Sequence, residues 1–137
     1  MILCNDRGEI IFSACRALYS CREALEAELC ACMEGLSLAI QRSELPIELE
    51  LDAQVAMSMI ICEGTNRSVY AALVKEIRHL LSLRRTCITL VSRSQNKASD
   101  SLATFGRGQG RTMTWLGSGP PETLVISHDD CNPVTFE

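Results

Sequence analysis

The chain has 137 residues, of which 47% are hydrophobic and 22% are charged. This length suits one domain with its own core, and the composition is that of a globular chain and not of a disordered one. No apolar run approaches the roughly 20 residues of a membrane-spanning helix, and the first residues lack the basic start of a signal peptide. We therefore expect an intracellular protein of the cytoplasm or nucleus that does not bind membranes.

The charge is unevenly distributed along the chain. Residues 1–66 carry 4 basic and 11 acidic side chains, a net charge of −7. Residues 67–111 carry 9 basic and 2 acidic side chains, a net charge of +7, and residues 112–137 carry 0 basic and 4 acidic ones. A basic segment between acidic ones can bind a phosphate backbone on one surface and hold metal ions on another. From charge alone, a solvated helix face is an equally good interpretation.

Eight cysteines are spread along the chain. No pair has the C-x-x-C spacing of zinc ligands, and neither histidine lies near a cysteine pair, so the sequence gives a zinc site little support. Disulfide bonds are not expected either, because there is no secretory signal. We predict that four cysteines within apolar patterns are small buried hydrophobic residues: Cys15, Cys30, Cys32 and Cys62.

Residues 1–19 are predicted to form a hairpin, since residues 5–8 have turn chemistry and Gly8 can adopt a positive φ. Residues 22–42 give the strongest helix pattern, with seven apolar side chains on one stripe at a 3.6-residue period. Glu28 lies at the margin of that stripe, where a ligand or metal could approach it. An ordinary boundary glutamate is the alternative interpretation of Glu28.

Residues 47–52 alternate strictly, which predicts a strand with its leucine side chains on one face and its carboxylates on the other. A short helix follows from residue 53 to residue 61. Asp52 therefore lies at the carboxyl end of a strand and just before a helix, which is where sites gather in open α/β sheets.

A second long helix is predicted over residues 67–83, a strand over residues 87–91, and a third helix that ends at the glycines of residues 106–110. The core side of these helices is predicted to be Val69, Leu73, Ile77, Leu80, Leu81, Ala98, Leu102, Ala103 and Phe105. Residues from 111 onward are expected to be loosely attached. The order of elements predicts an α/β fold, a mixed sheet with flanking helices.

Three segments together resemble one family. Residues 25–29 read LEAEL and are followed by EGLSLA at residues 34–39; residues 49–52 read LELD; residues 92–103 read SRSQNKASDSLA. Each is weak alone, but in this order they resemble the ribonuclease H-like domain of the plant reverse-transcriptase-like, retroelement-type family. The resemblance implies a ribonuclease H-like domain over residues 1–106 and a C-terminal extension over residues 107–137.

The resemblance also implies an activity. Members hydrolyse the RNA strand of RNA–DNA hybrids with two Mg²⁺ ions held by four carboxylates, and carboxylate oxygens are the ligands that Mg²⁺ prefers. The matching positions here are Glu28, Asp52 and Asp100, expected as catalytic and metal-binding residues. The expected contacts to an RNA–DNA hybrid or double-stranded RNA are Arg84, Arg85, Arg93, Asn96 and Lys97.

One part of the family pattern has no match. The family begins with a central strand that carries the first catalytic aspartate, whereas this sequence starts within the second strand. Asp6 cannot replace that aspartate, because it belongs to the hairpin turn. We therefore expect an N-terminally truncated domain with impaired cleavage. A non-catalytic nucleic-acid-binding remnant and a truncated gene product without its own activity are the alternatives.

Overall fold

A computed structural model describes residues 1–130 of the chain, which divide into two compact units. The terminal unit contains residues 1–17 and the chain from residue 92 onward, and the central unit contains residues 18–91. The strands are β1 Ile2–Cys4, β2 Ile10–Cys15, β3 Ile47–Leu51, β4 Thr86–Leu90 and β5 Met113–Leu116. The helices are α1 Ala24–Arg42, α2 Gln54–Ile61, α3 Ala71–Leu83, α4 Lys97–Gln109 and α5 Pro121–Asp130.

The terminal unit is built on an antiparallel sheet in the order β1-β2-β5. The predicted hairpin is confirmed, and Gly8 at its turn has a φ of 77°. The side chain of Asn5 closes the turn by accepting the backbone N–H groups of Arg7 and Glu9 at 3.0 and 2.9 Å. A short polar side chain that replaces a backbone partner is the usual stabiliser of such turns.

The expected loose attachment of the chain after residue 111 is wrong for the residues that the structure describes. Strand β5 pairs with β2 over four residues, from Phe12–Leu116 to Cys15–Met113. The ring of Trp115 packs edge-on against Phe105 of α4 at 5.8 Å. Helix α5 packs on α4, and its Thr123 is fully buried. Strand pairing and side-chain burial thus hold this segment, a combination that its mixed composition did not predict.

Helix α4 continues through Gly106 and Gly108 and ends where Gly110 adopts the left-handed conformation at a φ of 63°. Ala98 and Leu102 are buried as predicted. Ala103 is exposed, so its predicted core position is wrong. Two residues of opposite accessibility can follow each other because consecutive residues lie 100° apart around a helix.

The central unit packs α1 against α3 beside the parallel strand pair β3–β4. The predicted apolar stripe of α1 is confirmed by its buried residues Leu29, Cys32, Leu36 and Ala39. The predicted alternation of β3 is also confirmed, since Ile47 and Leu51 are buried while Glu48 and Glu50 are exposed.

Two sequence-based expectations fail in the central unit. Helix α3 begins at Ala71 and not at residue 67, and the side chain of Val69 is 72% exposed. The reason is local: the Asn66 side chain accepts the backbone N–H of Ser68 at 2.8 Å, and such a bond competes with helix formation. Cys62 is exposed because it follows the last residue of α2, so its predicted burial is wrong.

The fold class is α/β, with an antiparallel sheet and a parallel strand pair flanked by helices, and it is consistent with a ribonuclease H-like fold. No helix within residues 1–130 is both long enough and apolar enough to cross a membrane. The division into a domain of residues 1–106 and an extension stays a prediction.

Candidate functional site

Asp52 lies at the junction between strand β3 and helix α2. The strand ends at Leu51, whose carbonyl accepts the Val91 N–H at 2.8 Å, and the helix begins at Gln54. Hydrogen bonding thus continues to the last residue before Asp52, which fixes the backbone there. The Asp52 side chain is half-buried, so it is positioned by the fold and still accessible to a ligand.

Helix α2 is held at its other end by Arg78 of α3. The guanidinium donates to four carbonyl oxygens around the end of α2, at 2.7 to 3.0 Å: those of Met59, Ile60, Cys62 and Gly64. The last carbonyls of a helix lack partners within the helix, and a cation near them also opposes the helix dipole. Arg78 therefore stabilises the helix that directly follows Asp52.

Glu28 lies in α1, immediately before the fully buried Leu29, and its own side chain is exposed. Burial, and to a smaller extent the negative charge of Glu28, raise the pKa of the Cys32 thiol to about 12. The carboxylate is thus close enough to Cys32 to interact electrostatically, and the Cys32 thiol stays neutral. Glu28 lies at the edge of the core face, as its position in the sequence predicted.

The start of α1 is tied to α3 by one hydrogen bond. The hydroxyl of Tyr70 donates to the Glu23 carboxylate at 2.6 Å. That bond, together with burial and the negative charges of Glu23 and Glu26, raises the pKa of Tyr70 to about 12. The Tyr70 phenol is therefore neutral at physiological pH and serves as a structural donor.

Asp100 lies in the first turn of α4, in the terminal unit, with its side chain exposed. Its backbone N–H donates to the Asn96 carbonyl at 3.1 Å. The chain enters α4 through a 3₁₀ turn over Arg93–Gln95, in which Ser92 and Gln95 form a capping box. A capping box satisfies two backbone donors, here at the start of the 3₁₀ turn.

The structure assigns Glu28 and Asp52 to the central unit and Asp100 to the terminal unit. Their oxygen donors fit Mg²⁺ by chemistry. Among the side chains that the structure describes, those of residues 1–127, however, no group of three or more histidine, cysteine, aspartate or glutamate residues is arranged to hold a metal ion. Their role as metal ligands stays a prediction.

The two neighbouring arginines before β4 have different surroundings. The Arg84 guanidinium donates to the carbonyls of Ser43 and Leu45, and it lies 3.8 Å from the Glu44 carboxylate. Its side chain is 16% exposed. Arg84 thereby holds the loop between α1 and β3. Arg85 is exposed, and its backbone carbonyl accepts the N–H of Ile47 at 2.9 Å. Arg85 is therefore the better placed of the two to bind a phosphate.

The other predicted nucleic-acid contacts lie together at the start of α4. Arg93 and Lys97 are exposed, and Asn96 between them is half-buried. All three belong to the terminal unit. Two exposed cations, one in the 3₁₀ turn and one at the first residue of α4, form a basic surface that can bind a phosphate backbone.

Two structural features of these segments were not anticipated. The capping box had a signal in the sequence, since a serine followed three residues later by glutamine is typical of it. Arg78 had none, because its four carbonyl partners lie 14 to 19 residues earlier in the chain and are backbone groups.

A family model described as reverse transcriptase-like matches residues 1–106. No curated protein and no solved structure matches the sequence. Because the match covers more than half of the chain, the chain belongs to the reverse transcriptase-like family, which is ribonuclease H-like.

Proposed function

We propose that this chain binds RNA–DNA hybrids, or double-stranded RNA, through the exposed cations Arg85, Arg93 and Lys97. The observation that carries the proposal is the family match over residues 1–106. The exposure of these three side chains supports the proposal, because a cation that already has a protein partner would lose that partner when it binds a phosphate. Asn96 and Arg84 are the further predicted contacts. Because Arg84 is already bonded to the carbonyls of Ser43 and Leu45, we expect it to contribute least to nucleic-acid affinity.

We propose further that Glu28, Asp52 and Asp100 supply oxygen ligands for Mg²⁺ in the hydrolysis of the RNA strand. Bound Mg²⁺ would activate the attacking water and stabilise the leaving oxygen. The support is the type of donor, the accessible side chains, and the rigid strand end that carries Asp52. The role of the chain itself is to hold these carboxylates and orient the phosphate.

We propose that these 137 residues by themselves cleave the hybrid more slowly than four carboxylates would allow. These 137 residues match three of the four expected carboxylates. Removing one ligand of a two-metal site weakens the binding of the ions that the reaction needs. Cleavage by the 137-residue chain at about 1 s⁻¹ or faster, as in an ordinary enzyme, would contradict this proposal.

A non-catalytic nucleic-acid-binding domain is the second candidate. It is favoured by the basic residues, which remain exposed independently of any metal site. A chain without its own activity is the third interpretation, which predicts neither binding nor cleavage.

Binding is tested by titrating the chain with labelled RNA–DNA hybrid at several salt concentrations. We expect affinity to fall steeply with salt, because each phosphate contact releases counterions. Arg85→Ala should weaken binding for every sequence tested and lower the salt slope by about one. Arg84→Ala is the matched control, with a smaller effect on the slope. Binding that is independent of salt, or absent at low salt, would refute the proposal.

A further inference from the structure

Strand β4 has one free edge in the described part of the chain. It pairs with β3 alone, in parallel. The bonds from the Ile47 N–H to the Arg85 carbonyl and from the Val91 N–H to the Leu51 carbonyl fix the alternation of the ladder. Odd-numbered residues of β4 therefore direct their backbone groups toward β3. The N–H and C=O groups of Thr86, Ile88 and Leu90 point away from it.

This edge lacks the devices that usually prevent pairing with another chain. Thr86–Leu90 reads TCITL, with no charge and no proline, and its register with β3 continues over all five residues without a bulge. The side chain of Leu90 is 43% exposed, and Cys87 is exposed. Natural edge strands are commonly protected by lysine, proline or a bulge, and an unprotected one is a template for a further strand.

We propose that a second copy of this chain binds this edge, with the two β4 strands antiparallel about a two-fold axis at Ile88. In that register Ile88 lies opposite its own equivalent, and Thr86 lies opposite Leu90 of the second copy. Each of these pairs joins residues whose backbone groups point outward. All three outward-facing residues of each strand are thereby hydrogen-bonded, which no register shifted along the strand achieves.

Charge complementarity favours a second copy as the occupant. Thr89 donates to the Glu48 carboxylate at 3.4 Å, so odd-numbered residues of β4 share a face with the carboxylates of β3. Extending the alternation by one residue beyond each strand places Arg85 and Asp52 on that face as well, at opposite ends of the sheet. Antiparallel pairing sets Arg85 two strand spacings, about 10 Å, from Asp52 of the second copy. Side chains of these lengths span that distance, so in the absence of nucleic acid and Mg²⁺, which would compete for the same two side chains, the dimer contains two symmetric Arg85–Asp52 contacts.

The same pairing also improves the sheet of the central unit. A two-stranded pair is marginally stable in water, whereas three or more strands with an apolar face support one another. The dimer joins two pairs into a four-stranded sheet in the order β3-β4-β4-β3. On the face that carries Ile47 and Leu51, residues Thr86, Ile88 and Leu90 of the two β4 strands lie between the buried side chains of one copy and those of the other.

Disulfide trapping tests both the dimer and its register. In the proposed register Cys87 lies opposite Thr89 of the second copy as a non-hydrogen-bonded pair, with a Cα separation of about 4.5 Å that a disulfide can bridge. The variant is Thr89→Cys in the full chain, with Cys21, Cys62 and Cys131 replaced by serine. The control carries the same serine replacements and keeps Thr89. Mild oxidation should give a covalent dimer of the variant alone, with positions 87 and 89 linked in the peptide map.

Charge exchange supplies a second measurement on the non-covalent dimer. Sedimentation of the full chain should show a dimer, and Arg85→Asp should raise its dissociation constant by about tenfold, equivalent to about 1.4 kcal/mol. Adding Asp52→Arg to that variant should restore the original value. A chain that is monomeric at every concentration, or cross-linking to the same extent in the control, would overturn the proposal.

Discussion

Replacing Arg78 is the most direct test of what stabilises helix α2, which follows Asp52 in the chain. The Nε and Nη atoms of Arg78 donate to four backbone carbonyls, two in partly buried and two in exposed positions. Arg78→Ala removes all four bonds at once. The two exposed carbonyls regain water, so their loss costs little. The two partly buried ones, of Met59 and Ile60, cost about 1 kcal/mol each.

The expected cost of Arg78→Ala is therefore about 2 kcal/mol for local opening of α2. This corresponds to about 30-fold faster amide hydrogen exchange in α2 at neutral pH, with smaller changes in the terminal unit. Arg78→Lys is the matched control. It keeps the charge at the helix end but replaces the planar fork by one ammonium group, and we expect less than half of the protection to return. If amide exchange in α2 of Arg78→Ala stays within about threefold of the rate in the unsubstituted chain, the proposed role of Arg78 is wrong.

Three further predictions concern packing, loop anchoring and pH. A Cβ at Gly106 would lie 2.7 Å from the Cβ of Cys15, so Gly106→Ala should destabilise the chain by about 1 to 3 kcal/mol in urea unfolding. In the control Gly108→Ala the new Cβ has no atom within 4 Å, so this variant should be neutral or stabilising by up to about 1 kcal/mol. Arg84→Ala should lower the free energy of unfolding by about 1 to 2 kcal/mol because it leaves two loop carbonyls without their donor, whereas Arg85→Ala should change it by less than about 0.5 kcal/mol. Equal losses of stability would contradict the different roles of the two arginines. The raised pKa of Tyr70 means that the folded state holds the phenolic proton more tightly, so the contribution of Tyr70 to folding stability is complete below about pH 10 and is lost as the pH rises toward 12. Tyr70→Phe should remove this loss from the stability measured by urea unfolding between about pH 9 and pH 12. An unchanged alkaline profile would count against the Tyr70–Glu23 bond.

Local patterns in the sequence predicted most of the elements of this fold. The stripe of α1, the alternation of β3 and the turn chemistry before Gly8 all depend on residues close in sequence, and the structure confirms each of them. The start of α3 was missed because the Asn66 side chain competes with the helix over the very residues where the apolar pattern begins.

The role of the C-terminal segment could not be read from the sequence. Strand β5 has four residues, and pairing with β2 about a hundred positions earlier gives it its place. A short strand carries little propensity of its own, so tertiary contacts decide its conformation. Residues 131–137 lie outside the described residues.

The candidate site was predictable in its chemistry and less so in its surroundings. The sequence placed Asp52 at a strand end and Glu28 at a helix margin, and both lie there. It could not distinguish Arg84 from Arg85, because the difference comes from the carbonyls of Ser43 and Leu45, which carry no side-chain signal. Backbone partners of this kind are determined by the fold and not by residue type.

Mg²⁺-dependent cleavage of a labelled RNA–DNA hybrid by the 137-residue chain tests the proposed function most directly. The comparison is with Asp52→Asn and with Glu48→Gln, a control carboxylate on the same strand that the site does not use. We predict slow, Mg²⁺-dependent cleavage, below about 1 s⁻¹, that Asp52→Asn abolishes and Glu48→Gln leaves unchanged, with hybrid binding retained in both. Cleavage that survives in Asp52→Asn, or a folded chain that neither binds nor cleaves the hybrid, would contradict the proposed function.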